Sequence, residues 1–427
     1  MSQADSPHIA IIDIGKTNSR AILADLKARR EIDIRAMENR VLPGPPYPHL
    51  DVARLSDFIL RALADFARIA PHLRVLVIGH GATMALVGDN GLVLPVLDYE
   101  FAGPDEVAAE YDRLRPDFSE TGAPRMPGGL NLGAQFYWLR QCFPAEMAQA
   151  RHALFWPQFW TWHLTGQARS EISYATSHSD LWSLSGKAPA GGAMTEITAG
   201  LFPPLAPAGA LAGTIRPELA ARYGLPAGLQ VLVGAHDSSL ALVPHAGPGA
   251  RAPSVVMSTG TWLAAFAIGA EAMPPAPGPG IMASLDIFGR LVPNFRVMAG
   301  KARADLLAQG DDTLPTLPAR ALRLHQDAEG RFGLTGPEGQ SARLAAEPGE
   351  SLPDAVDRLL ARDAIAGLNA IGASGPLHVT GPFAKNAVFM ESLYRDWPFP
   401  VLPSSYEQSI VDQVATLLDQ PVTGVNG

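Results

Sequence analysis

Apolar and polar positions along the 427 residues fall into blocks that predict strands and helices in alternation. The run Ile9-Ala10-Ile11-Ile12 leads straight into Asp13, and Ala21, Ile22 and Leu23 resume the apolar pattern after a small polar cluster. Two strands, 9–14 and 20–26, are expected, joined by a turn around Gly15–Asn18. Residues 51–70, DVARLSDFILRALADFARIA, carry apolar side chains at helical spacing behind Asp51, which fits an N-cap. RVLVIGHG (74–81) reads as a strand buried on both faces. TMALVG, the turn Asp89-Asn90-Gly91 and LVLPVLDYE predict a hairpin. Alternation continues from there, so the expected class is α/β. Aromatic residues gather between 136 and 182, from Phe136 and Trp138 to Trp182, and read as helix packing, with a sugar-stacking surface as the alternative.

Segments 186–210 and 272–280 are rich in Gly, Ala and Pro and read as loops, and 310–350 is polar and weakly periodic. VLVGAHDSSLALVPHAG (231–247) is a buried strand, a tight turn and the start of a helix. Pro244, Pro248 and Pro253 interrupt regular structure after it, which places a domain boundary near 245–253 and expects domains 1–247 and 248–427. VVMSTGTWLAAFAI (255–268) then repeats the shape of the opening stretch, with Ser258 at the place of Asp13 and Gly260 at that of Gly15.

A chain of this length exceeds one hydrophobic core, which agrees with two domains. With 47% apolar and 18% charged residues it is globular, and a net charge of −9 excludes the basic face a nucleic-acid partner needs. The lone Cys142 forms no internal disulfide and is expected to be a buried thiol. MSQADSPH has no apolar signal region, and no apolar run approaches a membrane span, so a soluble cytoplasmic protein without a membrane partner is expected.

The polar clusters suggest phosphate chemistry. Asp-Ile-Gly-Lys-Thr-Asn-Ser-Arg (13–20) sets backbone N–H groups and the Thr17, Asn18 and Ser19 side chains in one concavity, and Gly15 permits positive φ or close approach. Asp13 repels phosphate directly but suits Mg²⁺ held through water, and Arg20 adds a fixed positive charge. Read alone, the turn fits an ordinary polar hairpin better. Ser258-Thr259-Gly260-Thr261 offers hydroxyls and a glycine without a carboxylate. Asp237 in GAHDSS lies where a strand meets a helix. It can be a helix cap, or the carboxylate that accepts a hydroxyl proton during phosphoryl transfer to an alcohol. His236 beside it either tunes that site or is structural. In HVTGPFAKNAVFMESLYRD (378–396), a strand–glycine–helix junction with Gly381 and Asn386 can seat an adenosine.

Taken together, these segments resemble the FGGY carbohydrate kinases of the sugar kinase/Hsp70/actin superfamily, from about residue 9 to 396. By that resemblance Asp13, Gly15, Thr17, Ser19 and Arg20 match the first phosphate motif, with Lys16 and Asn18 in the same turn. Ser258–Thr261 match the second, and Gly381 to Asn386 the adenosine motif. Asp237 aligns with the catalytic base. His80, Gly81 and Asp98 fall where the family contacts its sugar. TGAPRMPGGLNLGAQFYWL (121–139) matches a segment lining the sugar pocket with Asn131 and Gln135, and HLTG (163–166) recurs there too.

The resemblance implies two actin-like (ribonuclease H-like) domains with a cleft between them, ATP and Mg²⁺ as cofactors, a small-molecule sugar as substrate, and room for a homodimer. Lys16 stands where relatives commonly carry Thr or a similar small residue; it adds phosphate charge or points to solvent. Pro382 replaces the second glycine of the adenosine motif. The tail YEQSIVDQVATLLD (406–419) stands in for the usual Gly/Ala-rich terminal helix. DIGKTN, LPGPPYPHLDV (42–52) and LPVLDYE (94–100) resemble the branch found with L-rhamnose and L-fucose catabolism. L-Rhamnulose phosphorylated on O1 is therefore expected, with L-fuculose or another ketose as the alternative. Phe136, Trp138 or Trp182 would supply an apolar patch for the sugar's methyl group. Two rivals remain: a non-catalytic sugar- or nucleotide-sensing relative, and a hydrolase pairing Asp237 with Asp98 or Glu100.

Overall fold

The opening apolar run forms β1 (His8–Ile14), which turns into β2 (Asn18–Asp25) and continues to β3 (Arg30–Glu38). The structure is a computed structural model that describes residues 6–186, 188–198, 200–246, 253–269, 275–309, 313–327, 330–403 and 409–420. Helix α1 (Val52–Ile69) begins at Asp51, whose carboxylate accepts Arg54 N–H at 3.1 Å, as its spacing predicts. It leads to β4 (Arg74–Gly79), which lies parallel to β1. With β5 (Leu211–Thr214) and β6 (Gln230–Leu232), the sheet runs β5-β6-β4-β1-β2-β3, and the two-residue strand β7 (Ala235–His236) also pairs with β4. Alternate residues of β1 serve opposite faces. Ala10, Ile12 and Ile14 pack with Ile59, Leu63 and Phe66 of α1, whereas Ile9 and Ile11 pack with Leu240 and Val243. Burial on both sides is why the run is continuously apolar.

The chain divides into two compact units. The first comprises Met1–Gly249 with Ala283–Leu291 and Gln408–Gly427, and the second Ala250–Met282 with Val292–Glu407. The expected boundary around Pro248 and the start of the 406–419 tail fall partly on residues outside those described. Within the first unit, the helix Ile410–Leu418 buries Val411, Val414 and Leu417 in the same apolar layer as Ile9, Ile11 and Leu240.

The expected hairpin is shorter than its pattern suggests. Met84–Gly88 pairs with Gly91–Leu92 alone, and Pro95, which lacks an N–H, stands in the segment that would continue the ladder. Met84–Gly88 pairs on its other side with His152–Phe155. The aromatic stretch is core. Phe136 in α2 (Leu132–Cys142), Trp156, Phe159 and Trp160 in α3 (Trp156–Thr165) and Tyr174 in α4 (Ile172–Thr176) are all buried. Trp138 packs edge-on against Tyr47 and Phe101, and Trp182 against Phe202, so these rings are committed to packing. Cys142 corrects its expectation: it is exposed, because the last turn of α2 (Arg140, Gln141, Cys142) faces outward after the buried residues 132–139.

In the second unit β8 (Ser254–Ser258) turns into antiparallel β9 (Leu263–Ile268), which pairs with β10 (Leu291–Val297). On its other side β8 lies parallel to β11 (Leu377–Thr380), followed by β12 (Val401–Pro403). A strand, a polar turn, an antiparallel return and a parallel neighbour thus occur in both units, as the repeated sequence pattern suggests. The polar stretch after residue 313 forms a separate small sheet from Thr316–Pro318, Arg323–Gln326, Phe332–Thr335 and Ser341–Ala345.

Candidate active site

In the first unit the parallel strands β1, β4 and β7 end level with one another: Ile14 pairs with Gly79, and Gly79 with His236. His80 N–H donates to Ile14 O at 3.0 Å. Asp13, His80 and Asp237 therefore emerge at the carboxyl edge of adjacent strands, where open α/β sheets place their ligands.

The β1–β2 turn is tightly drawn. Gly15 N–H donates to Asn18 O at 3.0 Å, and a Cβ at position 15 would lie 2.9 Å from that oxygen, so close approach is what selects glycine here. Asp13 and Arg20 stand directly opposite in the ladder, and Arg20 donates to Asp13 Oδ2 from Nη2 (2.7 Å) and Nε (3.1 Å). Ser19 faces inward: its hydroxyl donates to Asn39 Oδ1 (2.8 Å), while Asn39 donates from Nδ2 to Gly15 O (2.7 Å) and from its backbone to Thr17 O (2.7 Å). Thr17 and Asn18 are left exposed at the tip, joined by an Asn18 Nδ2–Thr17 Oγ1 bond of 3.1 Å. Lys16 takes neither expected direction, because its ammonium bonds the Asp98 carboxylate.

The wall beside this turn is built from inside. A Cβ on Gly81 would come within 2.6 Å of His236 Nε2 and 2.9 Å of His178 Cδ2, which explains the glycine. Ala82 has φ +56°, a left-handed conformation unfavourable for alanine, and Gln135 Nε2 donates to its carbonyl at 2.8 Å and to Gly129 O. Asn131 accepts Met126 N–H (2.7 Å) and donates to Pro124 O (3.1 Å). Both predicted sugar contacts are thus buried and hold loops in place. The Tyr174 hydroxyl lies 2.7 Å from His80 O and accepts Thr83 N–H at 3.2 Å, and its ring meets His236 edge-on at 5.2 Å.

His236 Nδ1 lies 3.1 Å from Ser238 N and 3.2 Å from Asp237 Oδ1. Burial lowers the His80 pKa, which keeps this ring neutral, and its Nδ1 lies 2.9 Å from Gly81 O. Asp237 opens α5 (Asp237–Ala246). Its Oδ1 accepts Ser238 N–H (2.5 Å) and Oγ–H (3.2 Å), and the side chain is 42% exposed. The carboxylate is oriented on one oxygen and open to solvent.

In the second unit the two predicted nucleotide motifs, over a hundred residues apart in sequence, lie on neighbouring strands, with Ser258 paired to Thr380. Thr259 ties them together. Its N–H (3.0 Å) and hydroxyl (2.5 Å) both donate to Thr380 O, and its hydroxyl oxygen accepts Phe383 N–H at 3.1 Å. Gly381 has φ +84°, and a Cβ there would sit 1.9 Å from Thr259 O. Gly300 N–H donates to Thr261 O at 3.2 Å, packing the start of α6 (Ala299–Ala308) on that turn. Asn386 caps α7 (Ala387–Asp396) through Phe389 N–H (2.9 Å) and donates to Asp357 Oδ2 (2.8 Å), which Arg303 also holds. Pro382 begins the short turn Pro382–Lys385, where its missing N–H costs nothing.

Sequence reasoning missed Asn39, Tyr174, His178, Gly300 and Asp357, which all act through hydrogen bonds or packing across the fold and carry no local pattern. Only the left-handed backbone at Ala82 and His178 marks the region as special, and that is visible in structure alone. Among the described residues no three His, Cys, Asp or Glu gather as a metal cage, and no helix is long and apolar enough to cross a membrane.

Residues 118–244 match the N-terminal domain of the FGGY family of carbohydrate kinases, and residues 251–329 match an FGGY carbohydrate kinase C-terminal domain. L-fuculokinase of Salmonella typhi is 28% identical over 265 residues and that of Escherichia coli K12 is 28% identical over 279, covering 60% of this chain and 55% of each relative. The match thus spans about half the length of these curated relatives. A carbohydrate kinase structure from Novosphingobium aromaticivorans superposes with TM-score 0.81 at 29% identity, covering 98% of this chain and 93% of that one. The xylulose kinase of Rhodospirillum rubrum shares the fold, with TM-score 0.68 at 19% identity over 96% and 92% of the two chains. With both matched domains in order and the actin-like α/β fold of these neighbours, the chain is similar to the FGGY family of carbohydrate kinases.

Proposed function

We propose that the protein transfers the γ-phosphoryl group of ATP to a hydroxyl of a ketose, with Asp237 as general base. The observation that carries this reading is the position of Asp237: an open carboxylate, anchored on one oxygen, at the same strand edge as the Asp13–Arg20 turn. The two matched carbohydrate kinase domains support the reaction class. In this reading Asp237 Oδ2 accepts the proton of the sugar hydroxyl as that oxygen forms its bond to phosphorus and the bond to the ADP oxygen breaks.

The backbone N–H groups of Lys16–Ser19 and the exposed Thr17 and Asn18 supply donors for the phosphates, and Ser258–Thr261 supply further ones. Gly381, Pro382 and Asn386 shape the adenosine seat. Mg²⁺, when bound, neutralises the phosphates. Asp13 fits it, since Arg20 occupies Oδ2 and no hydrogen bond to Oδ1 is made among the described residues, and one carboxylate without a cage suits an ion that keeps its waters. His80, Gly81, Asp98 and His236 form the acceptor side, with Asn131 and Gln135 behind them as supports. The functional division, sugar and base in 1–247 and nucleotide in 248–427, is part of the proposal.

L-Fuculose is the first acceptor to test, because the two curated relatives are named for it, and L-rhamnulose follows from the DIGKTN and LPVLDYE wording. The test is a coupled ADP-release screen of the purified chain with Mg·ATP against L-fuculose, L-rhamnulose, L-ribulose and D-xylulose. ADP release should require both a ketose and the nucleotide. The Asp237→Asn variant should lose about 10²–10⁴-fold in kcat while binding ATP unchanged. Silence with every ketose despite ATP binding favours the sensing relative, and intact turnover in Asp237→Asn removes it as the base.

A further inference from the structure

Lys16 directly follows the glycine of the phosphate turn, yet its side chain leaves the turn for a segment 82 positions away. Its ammonium bonds Asp98 Oδ1, lies 3.4 Å from Glu100 Oε2, and sits 4.5 Å from the centre of the Tyr99 ring. Three consecutive residues, carboxylate, ring and carboxylate, close on one cation. The contact is sheltered, with side-chain exposures of 18% for Lys16 and 8% for Asp98. Tyr99 extends the chain of contacts: its ring meets His80 edge-on, with centres 5.7 Å apart. The phenol is pushed up to about 12 by burial and by Glu100, so the ring is neutral at physiological pH.

The backbone of this segment is held without Lys16, by Asp98 N–H to Pro48 O (3.0 Å) and Gly129 N–H to Tyr99 O (3.1 Å). What Lys16 adds is therefore the orientation of side chains. We propose that Lys16 is a positioning residue for the acceptor, a clip that holds the Asp98 carboxylate and the Tyr99 ring, and through Tyr99 the His80 ring, against the phosphate turn. Paired with Lys16, Asp98 can accept a sugar hydroxyl without setting an unbalanced negative charge beside the incoming phosphates. The identity of the acceptor rests on the kinase reading above; the clip itself does not.

Two measurements on the full chain test it. In Lys16→Met, the KM of whichever ketose supports turnover should rise by about ten-fold or more, the size expected for losing a charge-assisted hydrogen bond, with the KM of ATP essentially unchanged. A rise in the KM of ATP with the ketose KM intact would make Lys16 a phosphate ligand, and no change in either would make the pair a surface contact; both overturn the proposal. Independently of turnover, thermal unfolding of Lys16→Met, Asp98→Asn and the double variant should give non-additive Tm shifts, the double losing less than the sum of the singles. Additive shifts would remove the clip. Should no ketose be turned over, the kinase reading fails while this cycle still decides the contact.

Discussion

Glu171 lies fully inside the first unit, where its carboxylate accepts Ser173 N–H (3.0 Å), the Ser173 hydroxyl (2.8 Å) and Tyr174 N–H (3.1 Å). Burial raises its pKa to about 7 against the pull of those bonds, with the negative charge of Asp286 adding to the rise. A raised folded-state pKa means that the native protein holds this proton more tightly than the unfolded chain. The stabilisation is complete below the unfolded value near 4.5 and is lost as pH climbs through about 7. Glu171→Gln removes the titration and keeps an acceptor oxygen for the cap. Its Tm should vary less than that of the parent between pH 5 and 8, with the largest gain at the alkaline end, several degrees by order of magnitude. An unchanged Tm–pH slope would show that Glu171 does not titrate in this range. The residue bears on the site because the helix it caps carries Tyr174, which supports His80 and His236.

At the level of elements, the two turns of the second unit form one device laced by Thr259. Gly381→Ala introduces both a left-handed alanine and a Cβ 1.9 Å from Thr259 O, so the turns must part. The variant should lower the Tm and weaken ATP binding measured calorimetrically. A variant as stable as the parent with full ATP affinity would show that the lacing is dispensable.

Local patterns made much of this scaffold readable. The Ile9–Ile12 run, the Asp51 cap and the glycines at turns are dictated by neighbours in sequence, and β1, β2, α1 and β4 appear where those patterns place them. Side-chain direction was not readable. Ser19, Asn131, Gln135 and Asn386 sit in the expected segments, but their bonds to Asn39, Met126, Ala82 and Asp357 depend on partners that only the fold brings near. Lys16 is the sharpest case, since its partner Asp98 is unpredictable from either local stretch. The short strands between 316 and 345 also escaped notice, because they are exposed in part and too brief for a clear alternation.

For the whole molecule, the order of the chain and the order of the core differ. Helix Ile410–Leu418 comes last, yet Val411, Val414 and Leu417 fill the layer under β1 and α5, and Ser409 caps it through Asp412 N–H (3.2 Å). Burying three such side chains is worth roughly 5 kcal/mol, of the same order as the net stability of a domain, so the sheet edge bearing Asp13, His80 and Asp237 depends on the tail. The exposed Arg29–Asp419 pair adds little beside that burial. Removing residues 409–427 should therefore unfold the first unit and spare the second. Hydrogen exchange should show lost protection for the amides of β1, β4 and α5 together with retained protection in β8 and β11. If protection were lost equally in both units, they would unfold as one cooperative block; if β1 stayed protected, the apolar layer would be closed without the tail.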